Sequence, residues 1–237
     1  MPDSPVIVLT RPAGENETLA AAFARHGIAT RIAPCVRVAP LEDDAPLREA
    51  VGRLRAEDLL VVTSGAGARA IAAALAGAPC LAPVAAVGAR TADACREAGL
   101  RVVFTPSVAT GTALATELPL PRGVVLLARS DRAGDEPVAI LRGRDAAVGE
   151  IVSYHTLSMA PDVDASGDIV VFASPSAVDG FALAGAHAGT AVAIGPSTAA
   201  RVSARLSIEP RVASPSDDAI VAAVQSALEE RYDHVRR

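Results

Sequence analysis

Short apolar runs alternate with alanine-rich stretches along almost the whole chain, and this alternation is the strongest constraint on its fold. The runs are apolar at nearly every position, which is typical of strands buried on both faces of a parallel sheet. The sequence therefore predicts an α/β fold. Strands are expected at residues 6–10, 30–33, 59–63, 84–87, 102–105, 124–128, 150–154, 169–173, 191–194 and 211–213. Helices are expected at residues 17–26, 47–55, 67–75, 91–98, 112–118, 137–142, 177–183, 198–205 and 218–231.

The order of these elements is duplicated within the chain. Asp58-Leu-Leu-Val-Val-Thr-Ser-Gly-Ala aligns with Asp168-Ile-Val-Val-Phe-Ala-Ser-Pro-Ser. Residues 84–91 also align with 191–198, 8–11 more weakly with 126–129, and 110–118 with 216–224. The repeat length of about 110 residues is too long for one unit of a solenoid. We therefore expect two similar parallel-sheet domains with an active-site cleft between them.

Two segments, 36–40 and 155–160, are extended in character, show no helical pattern and are the best candidates for links between the domains. If the chain crosses at both of them, one domain is discontinuous. The predicted domains are then residues 1–37 with 155–237, and residues 38–154.

Composition excludes several classes of protein. All 22 basic residues are arginine, because the sequence contains no lysine. This excludes a Schiff-base lysine, a pyridoxal-phosphate enzyme and a Walker lysine. The net charge of −5 and the absence of tryptophan argue against a nucleic-acid partner, which requires a basic face or an aromatic stacking surface.

Cysteine usage and hydropathy bear on location. Cys35, Cys80 and Cys95 show no C-x-x-C spacing and no histidine at metal-ligand spacing, so we expect no metal site. A sparse, odd number of cysteines is typical of a reducing compartment, and we expect a cytoplasmic protein. Two uncharged stretches, 70–89 and 180–200, reach the length of a membrane span, but prolines and glycines interrupt both. We therefore expect no membrane partner.

Hydroxyl groups, glycines and arginines are concentrated directly after the predicted strands. Ligands of parallel sheets bind at the carboxyl ends of strands and near helix N-termini, where backbone N–H groups and few carboxylates suit an anionic ligand. The candidates for substrate binding are Thr10, Arg11, Thr63, Ser64, Gly88, Thr91, Thr110, Arg129, Ser174, Ser176, Gly195 and Thr198. The alternative for each hydroxyl is an ordinary helix N-cap.

Other residues also allow two interpretations. Residues 65–70 fit the dinucleotide pattern G-x-G-x-x-A, but the acidic residue expected after the next strand is missing, which argues against nucleotide binding. Arg132 either binds substrate carboxylates or pairs with the nearby Asp135 or Glu136. Tyr154 ends a strand at a predicted link, where its phenol is either a proton donor, neutral at rest with an ordinary pKa of about 10, or a packing group.

Seven motifs, running from about residue 6 to residue 226, resemble the uroporphyrinogen-III synthase family in order and spacing. They are Val8-Leu-Thr-Arg-Pro, Val61-Val-Thr-Ser, Ala86-Val-Gly with Thr91, Ala128-Arg-Ser-Asp-Arg, Val152-Ser-Tyr-His-Thr, Phe172-Ala-Ser-Pro-Ser-Ala-Val and Ala193-Ile-Gly-Pro-Ser-Thr-Ala. The resemblance implies two α/β domains joined by a short two-stranded link.

The resemblance implies a lyase that cyclises hydroxymethylbilane to uroporphyrinogen III with loss of water and inversion of ring D. It implies no metal or organic cofactor. Tyr154 occupies the place of the family's favoured proton donor, and Ser174, Thr198 and Thr91 match positions that contact substrate. Two departures, Ala66 for a frequent asparagine and Ala173 for threonine, place contacts through those side chains in doubt.

The expected partner is the small-molecule substrate, with a transient contact to the preceding enzyme of the pathway left open. We expect a monomer, because no apolar amphipathic stripe is left over. A non-catalytic ligand-binding or regulatory module on the same scaffold is the alternative function, since a fold does not define an activity. Tyr154 and the two Gly-x-x-Thr turns favour the enzyme.

Overall fold

The structure is a computed structural model that describes residues 5–235, without the side chains of 167 and 232–235. The predicted α/β fold is confirmed. The strands are β1 Ile7–Leu9, β2 Thr30–Ile32, β3 Val36–Ala39, β4 Leu59–Val62, β5 Val84–Ala86, β6 Val102–Phe104, β7 Val125–Ser130, β8 Val148–Ser158, β9 Ala165–Phe172, β10 Ala188–Ile194 and β11 Arg211–Ala213. The helices are α1 Glu17–Arg25, α2 Ala45–Gly52, α3 Gly65–Leu75, α4 Ala89–Glu97, α5 Gly111–Glu117, α6 Glu136–Gly143, α7 Pro175–Leu183, α8 Pro196–Leu206 and α9 Asp217–Val235. Within the described residues, no helix is both long enough and apolar enough to cross a membrane.

The chain divides into two compact units, Met1–Arg37 with Leu157–Arg237, and Val38–Thr156. The first unit contains a five-stranded parallel sheet in the order β11-β10-β9-β1-β2. Helices α1 and α9 pack on the face that carries Ile7 and Ile169. Helices α7 and α8 pack on the face that carries Val8 and Val170. Both faces are covered, which explains why β1 and the later parts of β9 and β10 are apolar throughout, whereas the edge strands β2 and β11 contain Arg31 and Arg211.

The second unit contains a six-stranded sheet in the order β3-β8-β7-β4-β5-β6, and the strands from β8 to β6 are parallel. Helices α2, α3 and α4 pack on the face that carries Leu60 and Val62. Helices α5 and α6 pack on the face that carries Leu59 and Val61. This sheet is therefore also buried on both faces, like that of the first unit.

The sequence duplication corresponds to equivalent positions in the two sheets. Strands β8-β7-β4-β5-β6 of the second unit occupy the same order as β2-β1-β9-β10-β11 of the first. The aligned segments lie on matching strands, β4 with β9, β5 with β10 and β7 with β1. The two units thus share one spatial order of strands, but the chain visits the equivalent strands in a different sequence in each unit. In each of them the strand order reverses beside the central strand, between β4 and β7 or between β9 and β1, where parallel sheets bind ligands.

The two predicted links form strands. Residues 36–39 are β3, which lies beside β8. Strand β8 was expected at 150–154 and extends over Val148–Ser158, so it includes residues 155–158, four of the six residues of the segment expected to be a link. Its last four residues, 155–158, are all only half-buried and mostly polar.

Candidate active site

The centre of the second unit's candidate site is a hydrogen bond between two side chains that the chain separates by 90 residues. Ser64 Oγ donates to Tyr154 Oη over 2.9 Å. Ser64 is the N-cap of α3 and accepts the backbone N–H of Gly67 at 3.0 Å. Tyr154 is buried to 9% exposure. The phenol therefore lies at the first turn of α3, the positive end of the helix dipole.

A β-bulge in β8 brings Tyr154 to this place. Arg129 of β7 pairs with Val152, but the next residue, Ser130, pairs with Tyr154, so Ser153 is one extra residue in the ladder. Ser153 is buried and its hydroxyl donates to the carbonyl oxygen of Arg129 at 3.2 Å. Bulges bend a strand and change the direction in which its side chains point. The extra residue thus places the tyrosine against α3.

The remaining candidates of the second unit lie at the same carboxyl edge of the sheet. Thr63 is half-buried directly after β4. Gly88 is the N-cap of α4, and Thr91 is the third residue of that helix and is buried to 7% exposure. Thr110 is the N-cap of α5 and accepts the N–H of Ala113 at 3.1 Å.

The first unit repeats this pattern. Ser174 is the N-cap of α7 and accepts the N–H of Ala177 at 3.2 Å. Gly195 is the N-cap of α8, and Thr198 is the third residue of α8 and is buried to 2% exposure. Ser176 is half-buried, and its carbonyl oxygen accepts the hydroxyl of Ser158 at 2.9 Å. The capping interpretation is thus correct for Ser64, Thr110 and Ser174, and it leaves each hydroxyl with further hydrogen-bonding capacity.

Thr10 and Arg11 hold the first unit together at the same edge. Thr10 is fully buried and its hydroxyl donates to the carbonyl oxygen of Val171 at 2.7 Å, which joins β1 to β9. The guanidinium of Arg11 lies 3.7 Å from the carboxylate of Asp217 at the start of α9. Both side chains therefore have partners within their own unit.

Arg129 is surrounded by carboxylates of its own unit. Its Nη2 lies 2.6 Å from Asp135 and 2.9 Å from Glu150, and its Nη1 donates to the carbonyl oxygen of Gly134 at 2.9 Å. The side chain is only 15% exposed. Of the two interpretations of Arg132, the pairing with Asp135 is not found, since Arg129 contacts that carboxylate instead. Arg132 is exposed, and the described part of the chain contains no ion pair for it.

Sequence reasoning missed a network on the strand that carries Tyr154. His155 Nδ1 lies 3.0 Å from Asp131 Oδ2. Asp131 Oδ1 accepts the N–H of Thr156 at 2.9 Å and the hydroxyl of Ser130 at 3.1 Å. Ser130 Oγ also lies 2.7 Å from Thr156 Oγ1. Partial burial raises the pKa of Asp131, but these hydrogen bonds and the charge of His155 outweigh it and lower the pKa below its ordinary value.

Two of the sequence motifs, those around residues 130 and 154, contain the members of this network, but neither motif indicates that they contact one another. His155 and Thr156 come from β8, and their approach depends on the pairing of β7 with β8 past the bulge. The described residues contain no group of three histidine, cysteine or carboxylate side chains that could hold a metal ion.

Comparison with known proteins gives one consistent family. Residues 17–222 match the family model described as uroporphyrinogen-III synthase HemD. A rice (Oryza sativa subsp. japonica) protein named uroporphyrinogen-III synthase, chloroplastic, is 33% identical over 195 residues, which cover 75% of this chain and 64% of the rice protein. The chain thus matches just under two thirds of the length of that relative.

Two solved structures share the fold. A mutant uroporphyrinogen III synthase from the extremely thermophilic bacterium Thermus thermophilus is 20% identical with a TM-score of 0.58, over 95% of this chain and 99% of that one. Uroporphyrinogen-III synthetase from Helicobacter pylori 26695 is 20% identical with a TM-score of 0.60, over 94% of this chain and 99% of that one.

Proposed function

Because the chain belongs to the uroporphyrinogen-III synthase family, we propose that it is a lyase that converts hydroxymethylbilane to uroporphyrinogen III, with loss of water and inversion of ring D. The observation that carries this proposal is the placement of Tyr154, whose phenol is held at the N-terminus of a helix by the hydroxyl of Ser64. A phenol in that position is suited to donate a proton to a departing hydroxyl group.

Tyr154 acts as the general acid in the first step. Its phenolic proton moves to the terminal hydroxyl of the bilane as the carbon–oxygen bond breaks, so that water leaves and an electrophilic azafulvene remains. The substituted α-carbon of ring D then attacks this carbon to form a spiro intermediate. The spiro intermediate fragments and recloses with ring D inverted, and the final aromatisation releases a proton that balances the one donated.

The proposed substrate has eight carboxylates, which many hydrogen-bond donors can bind together in place of a few charged side chains. Helix N-termini supply N–H groups and a positive dipole end, and each is suited to one carboxylate. We propose that the substrate contacts come from the strand ends of both units, with Tyr154 as the catalytic group. The proposed binding residues are Thr10, Arg11, Thr63, Gly88, Thr91, Thr110, Ser174, Ser176, Gly195 and Thr198. The other two residues predicted from the sequence to bind substrate are Ser64, which contacts Tyr154, and Arg129, which contacts Asp135 and Glu150.

General acid catalysis contributes only about 10²–10⁴-fold. The larger requirement is to hold a flexible tetrapyrrole in the bent conformation in which its two ends meet, which is a proximity effect.

The protein acts as a monomer in the cytoplasm under this proposal, and a transient contact with the preceding enzyme delivers its unstable substrate. The free thiols of Cys35, Cys80 and Cys95 support a reducing compartment. Sedimentation analysis with and without the preceding enzyme tests the monomer and the contact, and cell fractionation tests the compartment.

The activity is tested by product analysis. Hydroxymethylbilane is generated in the assay, the protein is added, and the oxidised products are separated into type I and type III isomers. We expect dominant type III from the wild type and a loss of at least about 10²-fold in rate for Tyr154→Phe. Tyr232→Phe is the matched control, because it removes the other tyrosine of the chain. Type I alone from the wild type would contradict the proposal and favour a non-catalytic binding module.

A further inference from the structure

In the hydrogen bond between Ser64 and Tyr154, the serine hydroxyl is the donor and the phenol oxygen is the acceptor. A serine hydroxyl has one hydrogen. Ser64 Oγ accepts the N–H of Gly67 at 3.0 Å and gives its own hydrogen to Tyr154 Oη at 2.9 Å. The donors thus form a short chain from the first turn of α3 to the phenol oxygen, and each bond polarises the next.

We propose that Ser64 is a positioning residue for Tyr154 in the proposed reaction, rather than a substrate contact. Because Ser64 is the donor, the phenolic hydrogen is not used in this bond and is directed away from it. When the phenol loses that proton, the same hydroxyl faces a phenolate. Hydrogen bonds to a charged acceptor are roughly twice as strong as neutral ones. Ser64 therefore stabilises the product of proton transfer more than the resting phenol, which is the condition for accelerating a step.

The packing around the pair holds this geometry in place. Ser64 is fixed at the N-cap of α3, and the bulge at Ser153 fixes the partner strand. A Cβ atom on Gly67 would lie 3.4 Å from Ser64 Oγ and 3.7 Å from Ser153 Oγ, so three small groups meet at the start of α3. The serine hydroxyl is held in this place by its two hydrogen bonds, one from the N–H of Gly67 and one to the phenol.

The charged groups near the pair come from three elements. Arg69 is the fifth residue of α3, and its Nη1 reaches back to the start of the helix, 3.5 Å from where a Cβ atom on Gly65 would stand. Arg129 and Asp131 lie at the end of β7, and His155 follows Tyr154 on β8. These groups remain in every variant below, so the variants change only the hydroxyl at residue 64.

The first test reads the tyrosine directly and needs no activity. The chain has no tryptophan and two tyrosines, so in a Tyr232→Phe background the ultraviolet signal of phenolate formation reports Tyr154 alone. Ser64→Ala is expected to move the midpoint of phenolate formation to higher pH by about one unit, a tenfold change in the ionisation constant. Ser64→Thr keeps a hydroxyl and is expected to restore the parent midpoint. An unchanged midpoint in a folded Ser64→Ala protein would overturn the proposal.

Loss of the helix cap needs its own control. Ser216 caps α9 in the same manner, and its Oγ accepts the N–H of Ala219 at 3.2 Å. Ser216→Ala is expected to reduce thermal stability about as much as Ser64→Ala while it leaves the tyrosine titration unchanged. An equal shift of the titration in both variants would assign the effect to loss of a cap and overturn the proposal.

The second test separates positioning from substrate binding. Ser64→Ala is expected to lower kcat about tenfold with little change in KM, and to have no further effect in a Tyr154→Phe background. A raised KM, or an effect that persists without the phenol, would instead make Ser64 a substrate contact. If the wild type makes no type III product, the proposed function fails, but the titration still decides whether Ser64 acts on Tyr154.

Discussion

A Cβ atom on Gly88 would lie 2.7 Å from the Cβ atom of Ala109, closer than two such atoms can approach. Gly88 has φ 179°, an extended conformation that any residue adopts, so only this close approach requires glycine there. Its counterpart in the other unit, Gly195, has open space around it but a φ of 80°, which side chains with a Cβ atom rarely adopt. The two Gly-x-x-Thr turns therefore require glycine for different physical reasons.

We expect Gly88→Ala and Gly195→Ala each to lower the free energy of unfolding, by about 1–3 kcal/mol. Adding Ala109→Gly should restore most of the stability lost in Gly88→Ala, because it removes the atom that the new methyl group meets. No substitution of a neighbouring residue should restore the stability lost in Gly195→Ala, because the loss comes from the positive φ of the backbone and not from a steric contact. Urea unfolding of the single and double variants measures this, with Gly52→Ala as the control. If Ala109→Gly changed the free energy of unfolding by the same amount with and without Gly88→Ala, the contact between these two residues would not be the reason for glycine at 88.

The positions of the elements could be predicted from the sequence because the central strands of both sheets contain runs that are apolar at every position and buried on both faces. Strand β11 begins and ends where it was predicted, and most other boundaries differ by one to three residues. Strand β8 was predicted too short. Its residues after 154 are only partly buried, so they lack the continuous apolar pattern that marks the other strands.

The candidate site was only partly predictable. The hydroxyls and glycines after the strands follow from the topology alone, since parallel strands end at the same edge. The contact of Ser64 with Tyr154 and that of Asp131 with His155 depend on one extra residue in the pairing of β7 with β8. The amino-acid pattern of β8 does not indicate where its pairing with β7 contains an extra residue. These two contacts could therefore not be predicted from the sequence.

Arg129 is expected to stabilise the second unit more than it binds substrate. Its guanidinium is 15% exposed and already faces Asp135 and Glu150. We expect Arg129→Met to lower the free energy of unfolding by about 1–2 kcal/mol, reduced by salt, and to change KM little. Arg132→Met is the matched control, since Arg132 follows the same strand and is exposed. An unchanged free energy of unfolding together with a raised KM for Arg129→Met would instead show that Arg129 binds substrate.

The three thiols are expected to differ in reactivity. Burial raises the pKa of Cys35 to about 12, and it raises the pKa of Cys95 to about 11 against the opposing charge of Arg96. Cys80 is only half-buried, although burial raises its pKa as well. Because the thiolate is the reactive form, one thiol should react with a disulfide reagent at about pH 8 and three in urea. Cys80→Ser should abolish the reaction of the native protein, and a fast residual reaction would contradict the burial of the other two.

The hydrogen bonds to Asp131 make a pH-dependent contribution to stability. The folded-state pKa of Asp131 is lowered, because the N–H of Thr156, the imidazole of His155 and the hydroxyl of Ser130 outweigh the effect of partial burial. A carboxyl of this kind stabilises the fold fully above its unfolded pKa of about 3.9. The contribution is lost as pH falls through the lower folded value.

Asp131→Asn keeps the size of the side chain and removes its charge. We expect it to lower the free energy of unfolding near neutral pH by at most about 1 kcal/mol, because the carboxyl is partly exposed and screened by solvent. The difference from the wild type should shrink below about pH 4 as the wild-type carboxyl takes up a proton. Urea unfolding between about pH 3 and 7 measures this, with the exposed Asp162→Asn as the control. A difference that persists unchanged at the acid end would mean that shape rather than charge makes the contribution.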